Sequence, residues 1–338
     1  MAAVSRESEA VPSEPSESEL LFSLPQALAG AARRGGREVD LDGLTAVVGP
    51  SWTMVAVSRE SDLSRWPMYA RDAFVVDGAR LFGLNLRPLH PPEAARGLGD
   101  VAEFEQHFEA SYKPLIHRAL ENGQAVLTWR GWPAVKGTPI ELAWGLVEDT
   151  ADSGIGFRGT VRWGPRSEDV RTMVLERPPV QLYVVETVTR TRPDRVEVLR
   201  TALSHARVAL GNLLSNRFGV LTGSAAFGVW LARVCEAVGG GGGPEAWADQ
   251  HCRLAAAVAG THEQGSWFLR SCLDVADGGR RETVEALIPL CQIVVSGLRE
   301  SRSAAADPAA LAAPEWQQAV IEPLVRARDA TAKMRSMV

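Results

Sequence analysis

The chain has 338 residues, of which 46% are apolar and 23% charged, which is typical of a soluble globular protein with about two domains. Its formal charge is −5, and residues 1–20 supply −4 of it through five Glu and one Arg, so the other residues sum to about −1. A net charge near zero outside the tail excludes an overall positive potential that would attract nucleic acid, so we predict no nucleic-acid partner. The apolar runs are shorter than the ~20 residues of a membrane span, and no signal-peptide pattern begins the chain. We therefore expect a cytoplasmic protein without a membrane partner.

The first half of the chain is predicted to place helices before a sheet. Residues 1–19 hold Ser, Glu and Pro with almost nothing to bury, so we predict a disordered acidic tail. Hydrophobic spacing and Gly, Pro and Asp signals predict helices at 20–36, 40–48, 67–81 and 100–122. Apolar runs predict a mostly antiparallel sheet with strands at 51–58, 124–132, 139–147, 154–164, 168–176 and 180–188, and a short extended piece at 84–90.

From residue 193 the pattern changes to helices, and we predict a bundle of five or six. Asp194 is expected to cap the first helix and Thr261 the fourth. The predicted helices cover 194–215, 222–239, 244–260, 261–278, 280–302 and 315–334. The chain thus divides into a tail at 1–19, an α+β domain at 20–192 and an α-helical domain at 193–338. All four cysteines lie in that last part without a CxxC pair, which favours buried, reduced thiols.

The two strands predicted at 124–132 and 139–147 form the apolar centre of the α+β domain. In the second strand, Ala143 and Gly145 are small residues expected on one face. Small side chains at such positions indicate close approach of another main chain or a packed helix. An active site of this domain is therefore expected beside the strand pair.

Two short motifs at this pair carry a resemblance to a known family. Gly123 to Leu127 reads GQAVL, and Trp144 to Asp149 reads WGLVED. With these motifs the chain resembles the papain-like superfamily, in particular bacterial proteins of the butirosin-biosynthesis H type and related double-glycine-peptidase-like domains. The helix with Gly223, Ala226, Phe227 and Trp230 is similar to a helix of the same group. The resemblance implies a papain-like α+β domain with a small antiparallel sheet, followed by an α-helical bundle domain.

The family's catalytic residues are not present where the resemblance would place them. An early helix of the group carries a nucleophilic Cys and the later strand pair carries a His, but residues 1–234 contain no Cys and 141–147 contain no His. The early helix offers Ser23 and Gln26 instead, and the second strand offers Glu141 as a base. We therefore expect a non-catalytic, degenerate papain-like binding or scaffold protein, a pseudoenzyme. The alternative is an acyltransferase or hydrolase that uses these non-standard residues.

Ten Trp residues are present, and several crowd the predicted sheet. Trp129, Trp132 and Trp144 are expected mainly to pack the core. The functional alternative is an aromatic-lined groove that binds a peptide or an apolar small molecule, with Arg130 contacting a carboxylate. The partner is thus predicted to be a protein or small molecule of unknown identity, and homo-oligomerisation is left open.

One group of side chains suggests a metal site, namely His251, Cys252, His262 and Glu263. On one continuous helix the two histidines would be about 16 Å apart along the axis. They would share a metal only if the chain turned at Gly260. Structural roles are favoured, and we predict neither a metal nor a cofactor.

Overall fold

The computed structural model describes residues 21–338 apart from several internal stretches. These stretches are 49–50, 53, 58–71, 90–104, 136–139, 165–169, 190–191, 212–219, 240–244, 308–310 and 312–314. The described chain is mixed α+β, with an antiparallel sheet and long helices. The acidic tail predicted at 1–19 lies outside the described residues. No described helix is both long enough and apolar enough to cross a bilayer.

A six-stranded sheet with every neighbouring pair antiparallel lies in the first part of the chain. In spatial order its strands are β2 (Leu84–Pro88), β7 (Gln181–Val188), β3 (Ala125–Trp129), β4 (Trp144–Thr150), β5 (Phe157–Arg162) and β6 (Val170–Val174). The predicted pairing of the two central strands is confirmed, because Val126 lies opposite Val147 and Trp129 opposite Trp144.

The start of the second central strand was predicted too early. Ile140–Leu142 forms a 3-10 helix, and β4 begins only at Trp144. The amide of Ala143 donates to the carbonyl of Ile140 and so closes the turn, while its carbonyl accepts from Arg130 N. Glu141 therefore lies on a turn and not on a strand.

The strand predicted at 51–58 belongs to a different sheet. Strand β1 (Val55–Val57) pairs antiparallel with β8 (Val220–Thr222) in a separate two-stranded sheet. The sequence did not predict β8, because a three-residue strand carries little periodicity and its partner is far away in the chain: Val55 pairs with Thr222, 167 residues later. Residues on both sides of the predicted boundary at 192–193 are thereby joined.

Nine helices lie wholly within the described residues, and most of them are where hydrophobic spacing predicts them. They are α1 (Ser23–Arg34), α2 (Leu41–Val48), α3 (Asp72–Leu81), α4 (Lys113–Glu121, after a π-helical turn at Phe108–Tyr112), α5 (Arg195–Leu210), α6 (Gly223–Gly239), α7 (Glu245–Ser271), α8 (Gly278–Ala306) and α9 (Trp316–Arg335). Helix α1 packs across β4 and β5, and α8 packs on both α7 and α9. The predicted cap of α5 is confirmed, since the side chain of Asp194 accepts from Val196 N.

Helix α7 is one helix of 27 residues and not the predicted two. Thr261 does not cap a new helix, because its hydroxyl donates to Val258 O within the same helix. The chain therefore does not turn at Gly260, and His251 and His262 remain far apart along one axis. Among the described residues, no group of three or more His, Cys, Asp and Glu side chains has the arrangement to hold a metal ion.

Trp52 packs the first part of the chain against the helices of the second part. Its φ is 58°, a left-handed conformation that is costly for a bulky side chain. The buried indole lies against Gly265 of α7 and makes an edge contact with Phe268, with ring centroids 6.2 Å apart. Helix α2 adds to this contact by packing on α5 and α7. The buried core consequently continues from the sheet into the helices.

Candidate functional site

The two helix residues predicted at the catalytic positions are buried and hydrogen-bonded to the sheet. Ser23 is 1% exposed and its Oγ accepts from Trp144 N at 3.0 Å. Gln26 is 3% exposed and its Nε2 donates to Gly164 O at 3.0 Å. Both side chains tie α1 to main-chain groups beside β4 and β5. Ser23 already fills a structural role at the point where a nucleophile would stand.

Glu141, the predicted base, sits on the 3-10 turn that precedes β4. Its Oε2 is buried and has no hydrogen-bond partner. Three other buried side-chain atoms around the same β3–β4 connection are also unpartnered, namely Thr128 Oγ1, Arg130 Nε and Trp132 Nε1. Unpaired buried polar atoms are rare in folded proteins, so four of them around one connection make it an unusual feature of the predicted site.

The three tryptophans of the predicted binding groove are packed into the core. Trp129, Trp132 and Trp144 are 6%, 2% and 4% exposed. Trp129 and Trp144 stack with ring centroids 6.2 Å apart, and Trp144 stacks in turn on Tyr183 at 5.8 Å. A ligand would reach these rings only if the elements that cover them moved. The aromatic groove therefore stays a prediction without an open surface at these indoles.

Gly145 of β4 is closely covered, most tightly by an indole ring and not by the main chain or helix that its small size predicted. The ring of Trp132 covers Gly145 so tightly that a Cβ at Gly145 would lie 2.2 Å from Cζ2 of the indole. Arg130 turns the chain between these tryptophans with a φ of 65°, and its guanidinium lies 4.4 Å from the ring centroid of Trp129. Arg130 is therefore held by a cation–π contact.

A buried polar chain links the helices of the second half. Trp230 Nε1 donates to His251 Nδ1 at 3.1 Å, so Nε2 of that imidazole carries the hydrogen. Nε2 donates to Ser301 Oγ at 3.0 Å, and Ser301 Oγ donates to Val320 O at 2.8 Å. The pair is not a Ser–His catalytic dyad, because a base must accept the serine proton, whereas His251 donates to Ser301.

The pKa values of the buried histidines and of three cysteine thiols indicate structural roles for these side chains. Burial lowers the pKa of His251 and of His262 to about 4, so both are neutral at neutral pH. Burial raises the pKa of Cys291 to about 12 and also raises the pKa values of Cys252 and Cys272. Thiols with raised pKa values are weak nucleophiles because the thiolate is the reactive form.

A cavity of about 440 Å³ lies where the first part of the chain meets the helices. Its apolar floor contains the buried side chains of Phe82, Val198, Phe268 and Cys272. Its volume falls within the range of about 300–1,000 Å³ that small-molecule sites occupy. Sequence reasoning missed this site because no local motif joins its wall segments, which come from 37–40, 82, 192–198 and 268–272.

Three arginines stand at the rim of this cavity, Arg37, Arg192 and Arg195. Arg195 pairs with Asp274, with Nη1–Oδ2 and Nη2–Oδ1 distances of 2.7 and 3.0 Å, and this hydrogen-bonded pair raises the pKa of Arg195. Arg37 donates from Nη1 to Phe82 O at 2.8 Å and to Thr189 O. Within the described chain, Arg192 is exposed and forms no ion pair. The rim therefore presents one guanidinium available to a ligand.

Comparison with known proteins supplies no relative from which a function could be transferred. No protein-family model matches the chain, and no curated protein matches it significantly. Function is therefore inferred from the residues and contacts described above.

Proposed function

We propose that this chain is a degenerate papain-like protein that binds a ligand or partner without catalysing a reaction. The observation that carries this proposal is the structural use of Ser23, whose Oγ accepts the amide of Trp144 in the core. A serine nucleophile needs a base to remove its proton, whereas the hydroxyl oxygen of Ser23 accepts a hydrogen bond from a main-chain amide.

The proposed papain-like architecture of residues 20–192 is supported by the position of α1. The resemblance expects a nucleophile on an early helix and a histidine on the later strand pair to face each other. Ser23 on α1 contacts the first residue of β4, which is the strand that the resemblance gives to the histidine. The two positions thus lie together although neither carries the family's residue.

One observation favours the alternative of an acyltransferase or hydrolase. Glu141 Oε2 is buried without a partner, three residues before the strand residue that contacts Ser23. A buried carboxylate oxygen without a hydrogen bond is costly to maintain, and buried unpaired polar atoms of this kind can have a catalytic role. In this alternative Glu141 would act as a general base for Ser23.

Hydrolysis of an activated acyl ester by the full chain distinguishes the two. We expect p-nitrophenyl acetate to be hydrolysed at the same slow rate by the parent protein, by Ser23→Ala and by the control Ser204→Ala, whose serine is exposed on α5. A serine-directed phosphonate probe should leave Ser23 unlabelled. Turnover or labelling that disappears in Ser23→Ala and persists in Ser204→Ala would contradict a non-catalytic function.

A further inference from the structure

We propose that the cavity between the 37–40 segment, α5 and α7 binds a small amphipathic monocarboxylate, with Arg192 contacting the carboxylate. This inference deepens the proposed binding function and rests on it. It specifies a site and a ligand class: an apolar body seated on the cavity floor and one negative charge at the rim.

The floor of the cavity accounts for the apolar body of the ligand. Phe82, Phe268 and Val198 line it, and each belongs to the continuous buried core. Cys272 completes the floor as an apolar side chain, since burial keeps its thiol protonated. Apolar walls with a few polar groups at the mouth are the usual composition of a small-molecule site.

The rim accounts for the negative charge. Arg195 is already paired with Asp274, so its charge is matched within the protein. Asp40 stands directly before α2 and accepts from Asp42 N at 3.2 Å, so this carboxylate is used at the helix N-terminus. Arg192 has no such partner within the described chain. Glu38 at the same rim is also exposed and forms no ion pair within the described chain, so the single negative charge of the ligand has to lie at Arg192 and away from Glu38.

The rim also favours a monoanion over a phosphate. Glu38 and Asp40 both line the cavity, and their carboxylates repel a second negative charge on the ligand. One planar guanidinium matches the two oxygens of a carboxylate in a bidentate pair. A wider depression of about 730 Å³ between α8 and α9 lacks this imbalance, because its Arg299 and Arg326 are paired with Glu263 and Glu300.

Titration of the full chain with decanoate, decanol and decyltrimethylammonium tests the proposal, with binding followed by isothermal calorimetry below micelle formation. We expect decanoate to bind more tightly than decanol and the cation not to bind. Arg192→Gln should weaken decanoate about tenfold, the loss expected for one charge-assisted contact, and leave decanol unchanged. Arg200→Gln, on an exposed arginine of α5 paired with Glu197, should change neither.

A second variant locates the site independently of charge. Ser271→Phe places a ring at the cavity wall and should abolish the binding of decanoate and decanol, while circular dichroism and the melting temperature report whether it folds. The proposal is overturned if decanoate does not bind, if Arg192→Gln changes its Kd less than twofold, or if folded Ser271→Phe binds normally. If decanoate does not bind and no turnover depends on Ser23, the cavity proposal fails and the non-catalytic function stands. If turnover depends on Ser23 while decanoate binds as expected, the non-catalytic function fails and the cavity proposal stands.

Discussion

Acidification from pH 7.5 to 5.5 should destabilise this protein through its two buried histidines. His251 and His262 are neutral in the fold, where burial lowers the pKa of each from 6.5 to about 4. As the pH falls, the unfolded chain therefore binds protons before the folded chain does. The stabilisation is complete above pH 6.5 and is lost as the pH falls toward 4. Linkage gives a loss on the order of 1 kcal/mol per histidine between pH 7.5 and 5.5.

Urea denaturation of His251→Gln at both pH values isolates this effect. The variant should be less stable at pH 7.5 by about 1–3 kcal/mol, since Trp230 and Ser301 lose their imidazole partner. Its further loss on acidification should be smaller than that of the parent protein by about 1 kcal/mol. The control His107→Gln replaces an exposed histidine. Between pH 7.5 and 5.5 it should lose more unfolding free energy than His251→Gln does, and nearly as much as the parent protein. An equal loss of unfolding free energy in His251→Gln and in the parent would refute the assignment of a neutral buried His251.

Two further substitutions test packing contacts. Gly265→Ala places a Cβ 2.1 Å from Trp52 Nε1, so we expect a loss of about 1–3 kcal/mol in thermal unfolding, whereas Gly228→Ala, with no atom within 4 Å, should be neutral or stabilising. An unchanged melting temperature in Gly265→Ala would contradict the position of the indole. Ser23→Ala leaves the buried amide of Trp144 unpaired and should cost about 1–3 kcal/mol in urea denaturation, a cost that Ser204→Ala should not show.

Local patterns predicted those elements whose periodicity is long and whose ends carry a chemical signal. Helix α5 begins at the Asp194 cap, and the strand pair at the centre of the sheet follows two apolar runs. The failures occur where one pattern fits two structures. Ile140, Leu142 and Trp144 alternate like a strand, yet the first two lie on a 3-10 turn. Thr261 looks like a helix cap, yet its hydroxyl bonds back to Val258 O inside α7.

The candidate sites also divide into those that a local motif predicted and one that only the tertiary structure forms. Ser23, Gln26 and Glu141 were found from one helix and one strand, because the resemblance ties them to short motifs. Whether those side chains are buried depends on the packing of α1 over the sheet, which no local pattern encodes. The cavity beneath Arg192 is assembled from segments up to 235 residues apart, counted from Arg37 to Cys272. Its separate segments show neither periodicity nor a motif, so it emerges only from the tertiary structure.

The division into an α+β domain at 20–192 and a helical domain at 193–338 remains a prediction, and the contacts across it give a way to test cooperativity. Strand β1 pairs with β8, and Trp52 inserts beside Gly265. These contacts bury first-half residues among second-half residues, so unfolding the sheet should remove support from the helices. We therefore expect the two parts to unfold together, even though their secondary structures differ.

Hydrogen exchange in α8 tests whether the two parts unfold together, because that helix is remote from the sheet in sequence and packs mainly on α7 and α9. Trp163→Ala should destabilise the sheet part by about 3–5 kcal/mol, since the indole is fully buried. In a single cooperative unit, the slowest amides of α8 exchange through global unfolding, so exchange should accelerate by about 100-fold or more. Trp52→Ala, which removes the joining contact itself, should accelerate it as well. If Trp163→Ala leaves exchange in α8 unchanged while Trp52→Ala increases it, the halves are independent folding units that share only a contact surface.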